Sequence, residues 1–213
     1  MSLPACMVPS HIKNIIFDLG GVVIDINPAA SFSALQAMVA ESQSAQDLLS
    51  EQASLFLKYE KGLISDEQFR AGIRQLTRQS DTLATTIDDI WCQMLLEVPL
   101  PRLQLLKQLQ GQYRTFVLSN TNGIHVAAFN KLIEAVSGQP SINFFFEKVY
   151  YSHELKMRKP DAEIYEYVLS DSNLIPRETL FLDDRNENLA AAETLGMATC
   201  LVTPERSIID IFS

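Results

Sequence analysis

Apolar positions along the chain follow two rhythms, and the switch between them divides it. Ile12–Phe17 is a short, almost unbroken apolar run, as expected for a strand covered on both faces. Asn27-Pro28 then supplies an N-cap and a proline for a first helical position. From there to about Val98 every apolar stripe has the helical period. Phe32, Leu35, Met38 and Val39 form one stripe, and Leu48, Leu49, Leu55, Phe56 and Tyr59 another. Ser65-Asp66-Glu67-Gln68 reads as a capping box ahead of a stripe at Phe69, Ile73 and Leu76. Leu83, Ile87, Ile90, Trp91, Met94 and Leu95 mark a fourth helix.

Beyond Pro99 strand and helix alternate. Leu103, Leu105, Leu106 and Leu109 predict a helix with Gly111 at C′, and Tyr113–Leu118 a strand leaving through Ser119-Asn120-Thr121-Asn122-Gly123. A helix over Ile124–Val136 precedes a Gly/Pro/Ser loop at Ser137–Ile142 and a strand at Phe145–Tyr150. Pro160-Asp161 opens a helix to Leu169, Thr179–Leu182 is a strand, and Asn186–Leu195 is a helix closed by Gly196. Ala198–Val202 is the last strand. The expected fold is α/β: a Rossmann-like, mainly parallel sheet with helices on both faces and an all-helical insertion. Residues 1–26 and 98–213 would form the catalytic core, and 27–97 a cap inserted after the first strand.

Composition narrows the function. A hydrophobic content of 47% with 20% charged residues is ordinary for a folded domain, and 213 residues can bury a full core plus an inserted module. The net charge of −9 argues against a nucleic-acid backbone as partner, since phosphate contacts need clustered Lys and Arg. Cys6, Cys92 and Cys200 are odd in number and widely spaced, which favours small buried hydrophobes in a reducing compartment over disulfides. Met1–Ser10 has no basic n-region and no long apolar stretch, so it does not read as a signal peptide. No run approaches the ~20 apolar residues that span a bilayer. The expectation is a cytoplasmic enzyme with no membrane partner.

The candidate chemistry sits where strands empty. Asp18 follows the first strand directly, and Asp183-Asp184 follows Leu180-Phe181-Leu182 in the same way. Ligands of open α/β sheets bind beyond the carboxyl ends of the strands, so the two clusters predict one acidic site. Carboxylates so close repel one another, and a divalent cation relieves them. Ser119-Asn120 lies at another strand exit, and Lys159 stands in the string Lys156-Met157-Arg158-Lys159-Pro160-Asp161.

Asp18, then Ser119-Asn120, then Lys159, then Asp183-Asp184 with Asn188 resemble, in that order, the four motifs of the haloacid dehalogenase-like hydrolases. The resemblance spans essentially the whole chain, and Phe17-Asp18-Leu19-Gly20-Gly21-Val22 is similar to a branch that includes bacterial glucose-1-phosphate phosphatases. It implies a magnesium-dependent phosphatase of small phosphorylated metabolites, with sugar phosphates expected. Asp18 would attack phosphorus and form an aspartyl-phosphate. Asp18, the Gly20 carbonyl, Asp183 and Asp184 would hold the metal, Asp184 directly and Asp183 directly or through water. Asn188 would orient Asp184. Lys159 would be catalytic and bind phosphate with the Ser119 hydroxyl and the Asn120 N–H, the latter at a helix start. Lys156 and Arg158 would lie at the surface.

One position departs from the family pattern. Most phosphatases of this family place a second Asp two residues after the nucleophile, to protonate the leaving group and activate water. This chain has Gly20 there. Asp25, Glu60 and His153 are the substitutes considered, with His153 read as a satisfied loop residue and Tyr59-Glu60-Lys61-Gly62 as a turn within reach of the site. Two alternatives stay open: a 2-haloacid dehalogenase, and a catalytically weak module binding phosphate ligands or a partner. Substrate identity and oligomeric state are not legible.

Overall fold

The computed structural model describes residues 8–39 and 45–213, with side chains of the second segment described from residue 52. Cys6 and the side chains of Leu48 and Leu49 therefore lie outside the described residues. Five parallel strands form one sheet in the order β3-β2-β1-β4-β5. They are β1 (Asn14–Phe17), β2 (Arg114–Ser119), β3 (Lys148–Tyr151), β4 (Thr179–Asp183) and β5 (Ala198–Leu201). The apolar runs that predicted the inner strands are buried on both faces, as parallel strands under helices must be.

The strand order reverses at β1. The chain passes from β1 to β2 on one side and from β3 across to β4 on the other, which opens a crevice beyond the β1 and β4 ends. Ile16 faces Phe116 on one side and Phe181 on the other. Asp18 N–H donates to Leu182 O at 2.8 Å, so the ladder carries on to the residue bearing the first carboxylate.

Between β1 and the rest of the sheet lie α1 (Pro28–Ala37), α2 (Ala45–Glu60), α3 (Asp66–Thr77) and α4 (Ala84–Cys92). The Ser65 box is formed: Gln68 N–H donates to Ser65 Oγ at 3.2 Å and Ser65 N–H to Gln68 Oε1 at 2.9 Å. These helices share an aromatic-rich core of Leu35, Tyr59, Phe69, Ile73, Ile87 and Trp91, joined by Ile124 from the other side. The two passages into and out of the insertion run side by side, with an antiparallel bridge of Ile26 to Leu95. Asp25 N–H donates to Glu97 O, and Leu96 N–H to Asp25 O, both at 2.9 Å.

The remaining helices are α5 (Leu100–Leu109), α6 (Gly123–Ser137), α7 (Ser152–Leu155), α8 (Ala162–Asp171), α9 (Asn186–Thr194) and α10 (Ile208–Ile211). They cover both faces of the sheet. The β1 side chains Ile15 and Phe17 pack into one layer and Ile16 into the other. Several expectations shift. The strand predicted at Phe145–Tyr150 begins only at Lys148, because Ile142–Phe145 is a 3-10 turn that drops Ile142 and Phe145 into the core. Of the Phe32 stripe only Leu35 is buried, and Phe32 is 45% exposed. Cys200 is buried but Cys92 only partly.

Candidate active site

The sequence-predicted residues converge. Asp18, Gly20, Ser119, Asn120, Lys159, Asp184 and Asn188 all line one cavity of about 410 Å³ over the sheet's carboxyl edge. The pieces arrive from the ends of β1, β2 and β4 and from the loop after α7. A larger cavity of about 610 Å³ lies beside it, walled by Tyr59, Asp66, Arg70 and His153, but it holds none of the strand-end carboxylates.

Lys159 anchors the arrangement. Its side chain is 1% exposed, and its ammonium lies 2.9 Å from Asp18 Oδ1 and 2.6 Å from Asp183 Oδ2. Burial alone would lower its pKa, but the two carboxylates outweigh burial and hold it above the ordinary lysine value. The loop is pinned too. Asn120 Nδ2 donates to Lys159 O and Lys159 N–H donates to Asn120 Oδ1, each at 2.9 Å. This corrects the expected placement of Asn120 at a helix start. Helix α6 begins three residues later at Gly123, with Asn122 as N-cap accepting from His125 N–H at 3.1 Å. The Asn120 side chain is a clamp between two strand-exit loops.

Asp183 is fully buried and both oxygens of its carboxylate accept hydrogen bonds. Oδ1 accepts from Arg185 N–H and Asn188 Nδ2, both at 2.9 Å. Oδ2 accepts from Lys159 at 2.6 Å and from Asn188 at 3.1 Å. Asn188 therefore orients Asp183 and not Asp184, as the sequence had suggested. Adjacent residues at a strand end point oppositely. Asp183 turns in under the first turn of α9, where Asn188 reaches it, and Asp184 turns out to the cavity mouth.

The acidic cluster suits a hard cation. Asp18, Asp183 and Asp184 each offer an oxygen, all within 4.8 Å of one another. Burial pushes the Asp18 carboxyl up to about 7, against the pull of Lys159 and with the push of Asp183 and Asp184. Partial burial and then Asp183 raise Asp184 as well. A divalent ion would relieve that repulsion, and an all-oxygen donor set fits magnesium. Gly21 keeps Asp184 in place: its φ is +76°, and a Cβ there would stand 2.6 Å from Asp184 Oδ2. At Gly20 a Cβ would meet Ile26 Cδ1 at 3.0 Å.

The candidates for the missing acid separate by position. Asp25 is tied to Arg102 at 2.6 Å and does not line the cavity. His153 belongs to α7 and not to a loop, and it faces the neighbouring cavity; its ring stacks on Tyr151 and bonds the Thr121 backbone, while its Nδ1 is buried without a partner. Glu60 does line the site, at the end of α2, and pairs with Arg158 at 3.0 Å. Arg158 is thus a cavity residue and not a surface one, because the loop that buries Lys159 turns its neighbour toward α2. Lys156 is exposed, as expected.

Residues that the sequence marks only as helix-stripe positions, together with Ile26, form the roof. Ile26, Phe32, Phe56, Trp91 and Met94 make a carbon wall opposite the acids. His125 stacks on Trp91 with ring centroids 5.0 Å apart, and its Nε2 bonds Trp91 O at 3.0 Å. Burial pushes its pKa down to about 4, which keeps the imidazole neutral. The only sequence signal for it was its place in the first turn after the Asn122 cap.

Comparison with known proteins agrees with this geometry. The family model for haloacid dehalogenase-like hydrolases matches residues 12–196. A D-ribitol-5-phosphate phosphatase of Bacteroides thetaiotaomicron is 32% identical over 189 residues, covering 88% of this chain and 90% of the relative. The magnesium complex of a HAD family enzyme from the same organism superposes with a TM-score of 0.85 at 32% identity, over 95% of this chain and 99% of that one. A mutant of a HAD family enzyme from that organism, in complex with magnesium and inorganic phosphate, gives a TM-score of 0.80 at 34% identity, over 89% and 93%.

Proposed function

The chain belongs to the haloacid dehalogenase-like hydrolases, and from that premise we propose that it is a magnesium-dependent phosphatase of small phosphorylated metabolites, sugar phosphates foremost. The single observation that carries the reading is the Asp18–Lys159–Asp183 triplet, buried at the switch point of the sheet with Asp184 at its mouth. Asp18 is the nucleophile. Its attack on phosphorus breaks the ester P–O bond and forms an aspartyl-phosphate, the departing oxygen taking a proton from solvent water to leave as the alcohol. A second water then hydrolyses the acyl-phosphate bond to free phosphate and restore the carboxylate. Lys159 offsets the charge of carboxylate and phosphoryl group and holds the attacking side chain in register. Asp183 positions Lys159, and it would also face the cation, directly or through water. Asp18, Asp184 and the Gly20 carbonyl would hold magnesium, which lets an anionic nucleophile approach an anionic ester. The Ser119 hydroxyl completes the phosphate site with the Asn120 N–H.

Residues 27–97 act as a cap over this cavity, and their two antiparallel passages are the hinge. An acidic protein of net charge −9 suits a free metabolite in the cytoplasm and not a nucleic acid. Among the described residues, no helix is long and apolar enough to cross a membrane. The test is release of inorganic phosphate from a panel of sugar and polyol phosphates. Activity should vanish in EDTA and in Asp18→Asn. Turnover that persists in Asp18→Asn, or halide release from 2-haloacids without magnesium, would remove the assignment.

A further inference from the structure

We infer that the Glu60–Arg158 pair reads the alcohol of the substrate, selecting phosphate esters that carry hydroxyl groups over equally long alkyl esters. The inference rests on the phosphatase reading above and names a specificity element within that site.

The cavity is chemically lopsided. Its roof, from Ile26 and Phe32 to Phe56, Trp91 and Met94, offers only carbon and an indole already turned toward Asn122 at 3.4 Å. Away from the strand-end acids, the cap contributes one charged group to the lining, Glu60, and the core sets Arg158 against it. Arg158 Nη2 donates to Glu60 Oε2 at 3.0 Å, with the side chains 22% and 29% exposed. A guanidinium has five N–H donors and this bond uses one; the Arg158 Nε is buried with no partner. The corner is thus under-satisfied.

A purely mechanical role does not account for that placement. The turn carrying Glu60 is already fastened to the core by contacts outside the cavity. Ser152 Oγ donates to Glu60 O at 2.6 Å, and Lys61 Nζ lies 2.8 Å from Asp161 Oδ2. Gly62, at φ +58°, packs so tightly that a Cβ would sit 2.0 Å from His153 O. With the cap held by these, an ion pair facing the cavity is free to serve a ligand. A hydroxyl can accept from the guanidinium and donate to the carboxylate at once, while the C–H face of a sugar or polyol lies against the aromatic roof. An alkyl chain would leave the ion pair intact but give no partner to the remaining guanidinium N–H groups and carboxylate lone pairs that it shuts away from water beneath the cap, which is the more costly mismatch.

The experiment compares kcat/KM, in excess magnesium, for sugar and polyol phosphates and for n-alkyl phosphates of matching carbon number, with p-nitrophenyl phosphate as a common reference. The wild type should prefer the best hydroxylated ester over its alkyl counterpart by on the order of 10²-fold or more. Arg158→Met, the near-isosteric Glu60→Gln, and the double variant Glu60→Leu/Arg158→Met, which orphans no charge, should each cut that ratio, the double variant by about tenfold or more. Lys61→Met, which removes the neighbouring ion pair outside the cavity, should keep the ratio. Loss of rate on all esters in equal proportion would make the pair a fastening or a proton-transfer element, with no part in reading the alcohol, and would overturn the inference, as would a wild type with no preference. If the wild type releases phosphate from none of these esters, the phosphatase reading itself fails and this inference falls with it; hydrolysis with an unchanged ratio removes the inference alone.

Discussion

Lys159 is the residue whose loss is felt twice. It neutralises two carboxylates, of which Asp183 is fully buried. Lys159→Met should abolish turnover, and should also destabilise the fold by about 3–5 kcal/mol, the usual consequence of orphaning a buried charge. Urea denaturation of the metal-free proteins measures the second effect; equal midpoints would mean that the Asn188 and Arg185 donors suffice to hold Asp183. Asp18 sets a pH dependence of its own. Its folded-state pKa is about 7 against an ordinary 3.8. Between those values the folded chain keeps a proton that the unfolded chain has released, so metal-free stability falls as pH rises through this window. In its lower part His125 works in the opposite direction, since its folded value of about 4 lies below the ordinary 6.5. The clean interval is therefore about pH 6.5 to 7.5, where thermal melts in EDTA should show a falling Tm. Magnesium displaces that proton, so its stabilising effect should be larger at the upper end. A flat profile in EDTA would mean that Asp18 is ionised throughout.

At the scale of elements, local chemistry and tertiary packing can be told apart. The Ser65 box opens α3 at the surface, so Ser65→Ala should cost about 1 kcal/mol of stability without altering the metal site; differential scanning calorimetry measures it, and no shift in Tm would mean that packing of Phe69 and Ile73 alone fixes the helix. The box, the β1 and β4 runs and the helix starting near Pro28 were legible because each is encoded within a few residues. The start of the strand expected at Phe145–Tyr150 was not. Three successive Phe have high strand propensity, but Phe145 and Phe146 are buried and Phe144 is 50% exposed, so the sheet begins after them. The site divides in the same way. Asp18, Ser119, Lys159 and Asp184 could be found because each sits at or beside a strand exit. The partner of Asn188, the clamp made by Asn120 and the inward turn of Arg158 depend on which loops meet across the crevice, and residue spacing does not encode that. Trp91 and His125 were hidden as ordinary helix-face residues until the two halves of the molecule were set against each other.

The molecule as a whole keeps its first strand in the middle of its sheet. β1 has β2 on one side and β4 on the other, with Asn14 opposite Arg114 and Thr179. The helices of residues 27–97 intervene before either partner is made. During synthesis, then, β1 leaves the ribosome as an apolar segment with both edges bare, and must wait through most of translation for its neighbours. Asp18 likewise meets Asp183 and Asp184 only once the chain through the end of β4 has emerged. Nascent chains halted short of β4 have no metal cluster to close and expose a sticky strand, which makes them natural clients for chaperones.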